Sequence, residues 1–454
     1  MTRLTEDLVV ALDETPLYDV HTHLVGDQLA ARGLHDVLLY HMVVSDLYAA
    51  GCPDGSRLTQ FPGTPDEAEA TARIEQALPY LHRARNTSNT WMVRSILTDL
   101  YDWHEPVTAD NWQALDAVVR EHSARLGWVE SVFDRTRVAR SNTEWGRRGS
   151  GSADDRLGYC LEWGFLTRVQ WGEFDTPLYE LERCWSMPQA GLPMAIGGGD
   201  RPELPRQVRS AEDALAAASH YVDQVPEPVI AMVTHFSTDI DYTQPTAAEF
   251  EAALTRRASA GPAERTVYAS FVHEAVLDEL ERRRPDVAVQ FSFGAEPLPF
   301  ETGARMRQET LGQIAELIVR HPGLRFQVTN ATRHVNQGLC SIAREVPNLT
   351  LAGYWWHAFY PDSIKQAMGE RLDMLPTTSQ CGFFSDAYCV EWQYAKAKLV
   401  RRLLAEVLAE KVERGQYSVD DALSVARSIL FESAEHTLGM TPHPGWPEES
   451  ASFR

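Results

Sequence analysis

The chain is poor in positive charge, and this shortage excludes several classes of partner. It has 42 lysines and arginines against 64 aspartates and glutamates, which gives a formal net charge of -22 over 454 residues. A surface of this sign repels phosphate backbones and acidic lipid headgroups. We therefore expect no nucleic-acid partner and no binding to a membrane.

Cysteine is also sparse and is not arranged for disulfides. The six cysteines are scattered without any C-x-x-C pair, so we expect them to be reduced thiols in the core. The chain has no uncharged run of membrane-spanning length, and its first ten residues, MTRLTEDLVV, carry acids where a signal peptide would be apolar. These absences predict a cytoplasmic protein.

Eight short apolar runs with β-forming residues recur along the chain. They are LYDVHTH, FDRTRVAR, CLEWGFLTRVQW, PVIAMVTH, DVAVQFSF, LRFQVTN, LTLAGYWW and QCGFFSD. Residues 211–224, 304–320, 332–346 and 391–414 show apolar residues at three- and four-residue spacing, which is typical of amphipathic helices. Strands separated by helices pair in parallel, and eight such units predict a (β/α)8 barrel, or TIM barrel, of the α/β class.

One gap, from Gly26 to about Trp128, is too long for a single crossover between two strands. It is rich in helix formers and is broken at GCPDG and FPGTP. We predict a helical insertion after the first strand, at residues 28–128. The barrel then comprises residues 1–27 and 129–440, and residues 441–454 form a C-terminal tail.

The first apolar run, PLYDVHTHL, ends in two histidines separated by one residue. Side chains alternate along a strand, so His21 and His23 are expected to project to the same side as Asp19. Two imidazoles can close on one divalent cation. The pattern therefore predicts a metal site at the end of the first strand.

Chemistry in a barrel gathers at the carboxyl ends of the strands, and these ends are polar here. The fourth strand ends in His235, the seventh in Trp355 and Trp356, and the eighth in Asp386. With His21 and His23, the residues His235 and Asp386 predict a mononuclear site for one divalent metal ion, zinc or a similar cation.

Structural alternatives stay open at four of these positions. Asp386 is equally suited to capping a helix over residues 387–402. His235 is equally compatible with a hydrogen-bonded structural histidine, and the two tryptophans with simple packing of the barrel.

Four segments, in the same order along the chain, resemble one known family. PLYDVHTHL resembles an opening strand with an HxH pair, and LHDVLLYHMVVSDLYAAGCP resembles the helix that follows it. LAGYWWHAFYPDSI and the closing stretch that begins with GFFSDAYCVEWQ complete the likeness. On these segments the chain resembles the uronate isomerase family of the amidohydrolase superfamily.

The resemblance implies one cation held by His21, His23 and Asp386, and it aligns His235 with the histidine of the family's SDHGL strand. It also implies an isomerase that interconverts an aldose uronic acid, such as D-glucuronate, with the ketose acid. In such an enzyme a proton moves between C2 and C1. We expect Asp386, His235 and Tyr388 to take part in this catalysis.

Several positions depart from the family's pattern, and each departure removes a polar or cationic group. Met42 and Ser45 stand where the family has a tyrosine and an arginine, Ser292 replaces the histidine of HFGA, and Tyr388 replaces the arginine of DSR. Arginine forks bind carboxylates bidentately, so these losses weaken the case for a uronate substrate.

For substrate binding we predict the strand-end arginine Arg168 together with Tyr40, His41, Trp355 and Trp356. The partner is then a small molecule, a sugar acid, and a homo-oligomer stays open. Two other functions also stay open. One is a hydrolase or lyase in which a metal-bound water attacks an amide, ester or lactone, and the other is an inactive relative that binds a ligand.

Overall fold

The fold is a (β/α)8 barrel of eight parallel strands. The computed structural model describes residues 2–53, 58, 67–149, 155–167, 174–187, 201–236, 242–293, 296–297, 304–305 and 309–438. The strands are β1 (Leu17–Asp19), β2 (Val138–Glu144), β3 (Leu157–Glu162), β4 (Val229–Phe236), β5 (Ala288–Phe293), β6 (Phe326–Asn330), β7 (Leu349–Ala352) and β8 (Gln380–Cys381). They follow one another around the sheet in chain order, as right-handed βα units require.

Helices surround this sheet and fill the long gap after β1. They are α1 (Arg3–Asp13), α2 (Leu34–Leu38), α3 (His41–Ala49), α4 (Glu67–Leu81), α5 (Ser88–Tyr101), α6 (Trp112–Ser123), α7 (Trp128–Thr136), α8 (Asp175–Ser186), α9 (Ala211–Asp223), α10 (Ala247–Thr255), α11 (Pro262–Arg283), α12 (Glu309–Arg320), α13 (Asn336–Glu345), α14 (Pro361–Met374), α15 (Val390–Glu413), α16 (Val419–Arg427) and α17 (Ser433–Leu438). A short antiparallel hairpin, Glu296–Pro297 with Ala304–Arg305, follows β5.

Each of the eight predicted runs overlaps one barrel strand, so the predicted fold is confirmed. The second run was placed wrongly at its start, because the helix α7 continues through Thr136 and β2 begins only at Val138. The residues FDRT have an apolar position only at Phe133, which is buried in the helix rather than in a strand. Residues 304–305, predicted to open a helix, belong to the short hairpin instead.

The barrel closes between β1 and β8 through the residues that follow each strand. The amide of Val20 donates to the carbonyl of Phe383 at 3.5 Å, and the amide of Asp386 donates to the carbonyl of His21 at 3.1 Å. The chain thus stays extended beyond β1 and joins the last strand to the first. This seam brings the predicted ligands from the two ends of the sequence to one edge of the barrel.

The helices of the predicted insertion pack on the barrel through α15. Their buried side chains form one hydrophobic cluster with those of α1 and α15. At the start of α15 the buried carboxylate of Glu391 accepts hydrogen bonds from the hydroxyl of Tyr101 and the indole of Trp128, both at 2.9 Å, and from the amide of Ala31 at 3.0 Å. The insertion therefore braces the helix that follows the seam.

None of the helices in the described ranges combines the length and the apolar character that crossing a membrane requires.

Gly353, just after β7, allows the ends of β7 and β8 to approach closely. Its φ is 42°, and a Cβ added there would lie 2.2 Å from the Cβ of Phe384. Its amide donates to the carbonyl of Cys381 at 2.7 Å, and its carbonyl accepts from the buried guanidinium of Arg371 at 2.9 Å. Only glycine satisfies both the backbone conformation and the contact.

We expect Gly353→Ala to destabilise the protein by about 2 kcal/mol or more, because the new methyl group clashes and the left-handed backbone is strained. Urea denaturation measures this change. The matched control is Gly369→Ala in α14, where an added Cβ meets no atom within 4 Å. Alanine there should stabilise the helix by about 0.5 kcal/mol. Equal effects of the two substitutions would contradict the argument for Gly353.

Candidate metal centre

Three predicted ligands meet at the carboxyl edge of the barrel. His21 and His23 follow β1, and Asp386 follows β8. One ligand atom from each of these side chains lies within 4.8 Å of the others. His21 and Asp386 are each only 6 % exposed, so the three donor groups converge in a largely buried position.

Asp386 occupies an unusual backbone conformation. Its φ is 56°, in the left-handed region that few residues other than glycine adopt, although aspartate tolerates it better than most. The next helix, α15, begins at Val390 after Cys389, without a side-chain cap. The helix-capping alternative for Asp386 is therefore wrong, and its carboxylate contacts His23 instead.

His23 is held at both ring nitrogens by carboxylates. Its Nδ1 lies 2.8 Å from Oε1 of Glu144, and its Nε2 lies 3.0 Å from Oδ1 of Asp386. Glu144 is fixed in turn by Arg147, whose Nε donates to Oε2 at 2.8 Å. Glu144 therefore orients the imidazole and leaves Nε2 facing Asp386.

Glu144 is the last residue of β2 and was not among the predicted site residues. The predicted second run ends at Arg140, four residues before the strand ends. A run extended to RSNTE would have shown an acid at a strand end.

The two histidines differ in their protonation. Burial lowers the pKa of His21 to about 4, so its imidazole is neutral at pH 7. Burial alone would also lower the pKa of His23, but Glu144 and Asp386 raise it to about 9. Burial disfavours a charged Asp386, yet the hydrogen bond from His23 and the charges nearby hold the pKa of that carboxyl well below its usual range.

Three predicted site residues surround this group. Nε2 of His41 lies 3.5 Å from Oδ2 of Asp386. The ring of Tyr388 lies 5.4 Å from the rings of His23 and His41, and the ring of Trp356 lies 6.0 Å from that of His41. His41, Tyr388 and Trp356 thus form a connected group of rings beside Asp386 and His23.

Tyr40 and Trp355 are buried beside the site. Tyr40 is fully buried, and its hydroxyl donates to the carbonyl of Asp386 at 2.8 Å while accepting from Nζ of Lys396 at 2.7 Å. Trp355 is 6 % exposed and packs in the barrel core with Phe384. Tyr40, predicted to bind substrate, is placed instead to hold Asp386.

Asp19 does not join the cluster, although strand alternation predicted that it would. Its carboxylate accepts from the amide of Ser385 at 2.9 Å and from the amide group of Gln393 at 2.7 Å. The regular strand ends at Asp19, so the alternation does not continue to the histidines. Asp19 therefore supports the segment that carries Asp386.

For two predicted site residues the structure does not describe the side chain. Arg168 lies outside the described residues. The backbone of His235 pairs with Ser292 across β4 and β5, but its side chain is outside the described part of the chain.

The donor set fits a divalent cation. A neutral imidazole, a second imidazole and a carboxylate are ligands that zinc and similar ions take in proteins. Histidines that bind a metal commonly anchor their other ring nitrogen on a carboxylate, as His23 does on Glu144. His21, His23 and Asp386 would hold the ion.

No family model matches the sequence, and no curated protein is detectably similar to it in sequence. The fold, however, resembles solved structures over nearly the full length. A uronate isomerase from Bacillus halodurans shares 16 % identity at a TM-score of 0.69, with 97 % of each chain covered. A glucuronate isomerase from Caulobacter crescentus shares 13 % identity at a TM-score of 0.75. The match covers 98 % of this chain and 95 % of that chain.

A third solved structure, a provisionally assigned metal-dependent hydrolase from Lactobacillus casei, shares 12 % identity at a TM-score of 0.54. It covers 95 % of this chain and 97 % of its own. Identities this low establish the fold alone. The chain thus has the fold of the uronate isomerases, as the resemblance of its motifs implied.

The raised pKa of His23 predicts how metal binding depends on pH. In the metal-free protein the imidazole keeps its proton up to about pH 9, so a cation must displace that proton. Acidic conditions favour the proton, and we expect the affinity for Co²⁺ to fall by up to about tenfold per pH unit from pH 8 to pH 6. A titration in weak buffer should release about one proton per ion.

Two variants control this titration. His21→Ala combined with His23→Ala should abolish binding, whereas His104→Ala, which removes an exposed histidine paired with Asp102, should change neither affinity nor slope. Stoichiometric metal in the double variant would show that the ligands are assigned wrongly.

Proposed function

We propose that the chain is a metal-dependent aldose-ketose isomerase of the uronate isomerase type, acting on a sugar acid. The observation that carries the proposal is the convergence of His21, His23 and Asp386 within 4.8 Å at the carboxyl edge of the barrel. The fold shared with the uronate isomerase from Bacillus halodurans supports it. Zinc is the first choice for the ion, on the strength of the donor set.

The cation, when bound, would polarise a carbonyl oxygen of the substrate and so make the neighbouring C–H more acidic. The carboxylate of Asp386, which lies 3.0 Å from Nε2 of His23 in the cluster, would be the group that accepts a proton. In this proposal Asp386 takes the proton from C2 and returns it to C1, while the hydroxyl proton of O2 passes to O1, so atoms and charge balance across the isomerisation.

The groups around Asp386 would orient the sugar. His41 lies 3.5 Å from the carboxylate and can donate to a substrate oxygen beside it. Tyr388 and Trp356 offer a hydroxyl and an aromatic face in the same group of rings. We keep Arg168 as the proposed partner of the substrate's carboxylate and His235 as a further ligand or catalytic group.

A second candidate is a hydrolase that uses a metal-activated water. Two observations support it. The chain shares its fold with the Lactobacillus casei protein, and it lacks the cationic side chain that the uronate isomerase pattern has near the start of α3. Met42 is only 2 % exposed, and Ser45 donates its hydroxyl to the carbonyl of His41 at 3.0 Å, so neither position offers a cation to a carboxylate. A lactone of a sugar acid is the substrate class that this candidate predicts.

The test is an assay of the metal-loaded protein on D-glucuronate, other sugar acids and their lactones. We expect aldose-ketose interconversion, slow on D-glucuronate because of the missing cations. Lactone hydrolysis without isomerisation would favour the second candidate, and no turnover of any of these compounds would contradict both.

Asp386→Asn should fold and keep some metal, because the amide oxygen can still ligate, but it cannot accept a proton. We therefore expect its rate to fall by about 100-fold or more. Asp373→Asn, at a largely exposed aspartate paired with Lys411, is the control and should keep the full rate. A near wild-type rate for Asp386→Asn would show that the proton moves elsewhere.

A further inference from the structure

Hydrogen bonds fix the main chain on both sides of Asp386. The amide of Asp386 donates to the carbonyl of His21 at 3.1 Å, and its carbonyl accepts from the hydroxyl of Tyr40 at 2.8 Å. The preceding residue, Ser385, donates its amide to Asp19 at 2.9 Å, and its carbonyl accepts from Nζ of Lys396. Four main-chain polar groups, in three successive peptide units, are therefore held by partners from other elements.

Lys396 is a buried cation without a carboxylate in hydrogen-bond contact among the described residues. It is 1 % exposed, and the hydrogen bonds of its ammonium go to the hydroxyl of Tyr40 and the carbonyl of Ser385. Its Nζ also lies 4.8 Å from the ring centre of Tyr40 and 4.7 Å from that of Phe359. Burying an ammonium is costly, so these contacts must compensate for its lost hydration.

The hydroxyl of Tyr40 connects the cation to the candidate ligand. It accepts from Lys396 and donates to Asp386, and a hydroxyl that accepts from a cation becomes a stronger donor. The ring itself is fixed by stacking on Trp392, at 4.3 Å between centres. The path from Nζ to the backbone of Asp386 thus has little freedom.

We propose that Lys396 and Tyr40 form a clamp that holds Asp386 in its left-handed conformation and so positions its carboxylate for the cation. This inference rests on the proposed metal centre. Lys396 and Tyr40 are positioning residues, since neither contacts the cluster of ligand atoms except through the main chain at residues 385 and 386. Without the clamp the strained turn relaxes, and the carboxylate moves away from His23.

The first experiment compares Co²⁺ titrations of wild type, Tyr40→Phe, Lys396→Met and the double variant, followed by visible absorption. We expect each single variant to bind Co²⁺ about 10- to 100-fold more weakly, the usual effect of losing a residue that orients a ligand. The Co²⁺ affinity of the double variant should equal that of the more weakly binding single variant, because both residues act through one path. If the fold-loss of affinity in the double variant equals the product of the two single losses, the residues act independently and a single clamp is contradicted.

The matched control is Tyr268→Phe. Tyr268 is also fully buried, and its hydroxyl donates to a backbone carbonyl, that of Leu166, at 3.3 Å. Its removal has a similar cost in stability but should leave Co²⁺ affinity unchanged. An equal loss of affinity in this control would assign the effect to general destabilisation and overturn the clamp. If Lys396→Met does not fold, Tyr40→Phe and Tyr268→Phe still decide the comparison.

A second readout needs no metal. Crystal structures of metal-free wild type and Tyr40→Phe should show the contact between Asp386 and His23, 3.0 Å in the wild type, broken in the variant. If the carboxylate of Asp386 has not moved in Tyr40→Phe, the clamp is wrong, whatever Co²⁺ affinity the variant shows. If wild type binds no Co²⁺ but the carboxylate moves in Tyr40→Phe, the metal centre is wrong and the clamp stands.

Discussion

The closure of the barrel between its first and last strands is the constraint on which the rest depends. Among the main-chain hydrogen bonds that join the two strand ends, the one from Asp386 to the carbonyl of His21 lies where their side chains converge. At this place Asp386 takes a left-handed conformation. The same bond therefore completes the fold and brings a carboxylate to two histidines from the opposite end of the sequence.

Helix α15 explains how this turn is supported. An ordinary barrel helix has an apolar inner face, but α15 buries Glu391, Gln393 and Lys396. Each has a defined partner: Glu391 receives donors from the insertion, Gln393 donates to Asp19, and Lys396 donates to Tyr40. The insertion and the turn are thus fixed to one helix, and buried polar groups are stable there because each is hydrogen-bonded.

The eight strands and the convergence of His21, His23 and Asp386 could be predicted from the sequence, because they depend on local periodicity and on the rule that barrel sites lie at strand ends. The sequence was insufficient for Glu144, Lys396 and Asp19. Glu144 lies beyond the predicted end of its strand, and Lys396 is in a helix where a lysine predicts exposure. The partners of Asp19 come from residues 385 and 393, which only the tertiary structure brings close.

Charge balance links the site's stability to its proposed chemistry. Two carboxylates, Asp386 and Glu144, flank one imidazole, and their charges raise the pKa of His23 to about 9. The proton on His23 therefore does in the metal-free protein what a cation would do in the loaded one: together with Arg147, it offsets the negative charges of Asp386 and Glu144. A divalent ion that replaces one proton adds a further positive charge at the same place. An anionic sugar acid would be repelled less by the loaded site, so the proposed order of binding is cation first and substrate second.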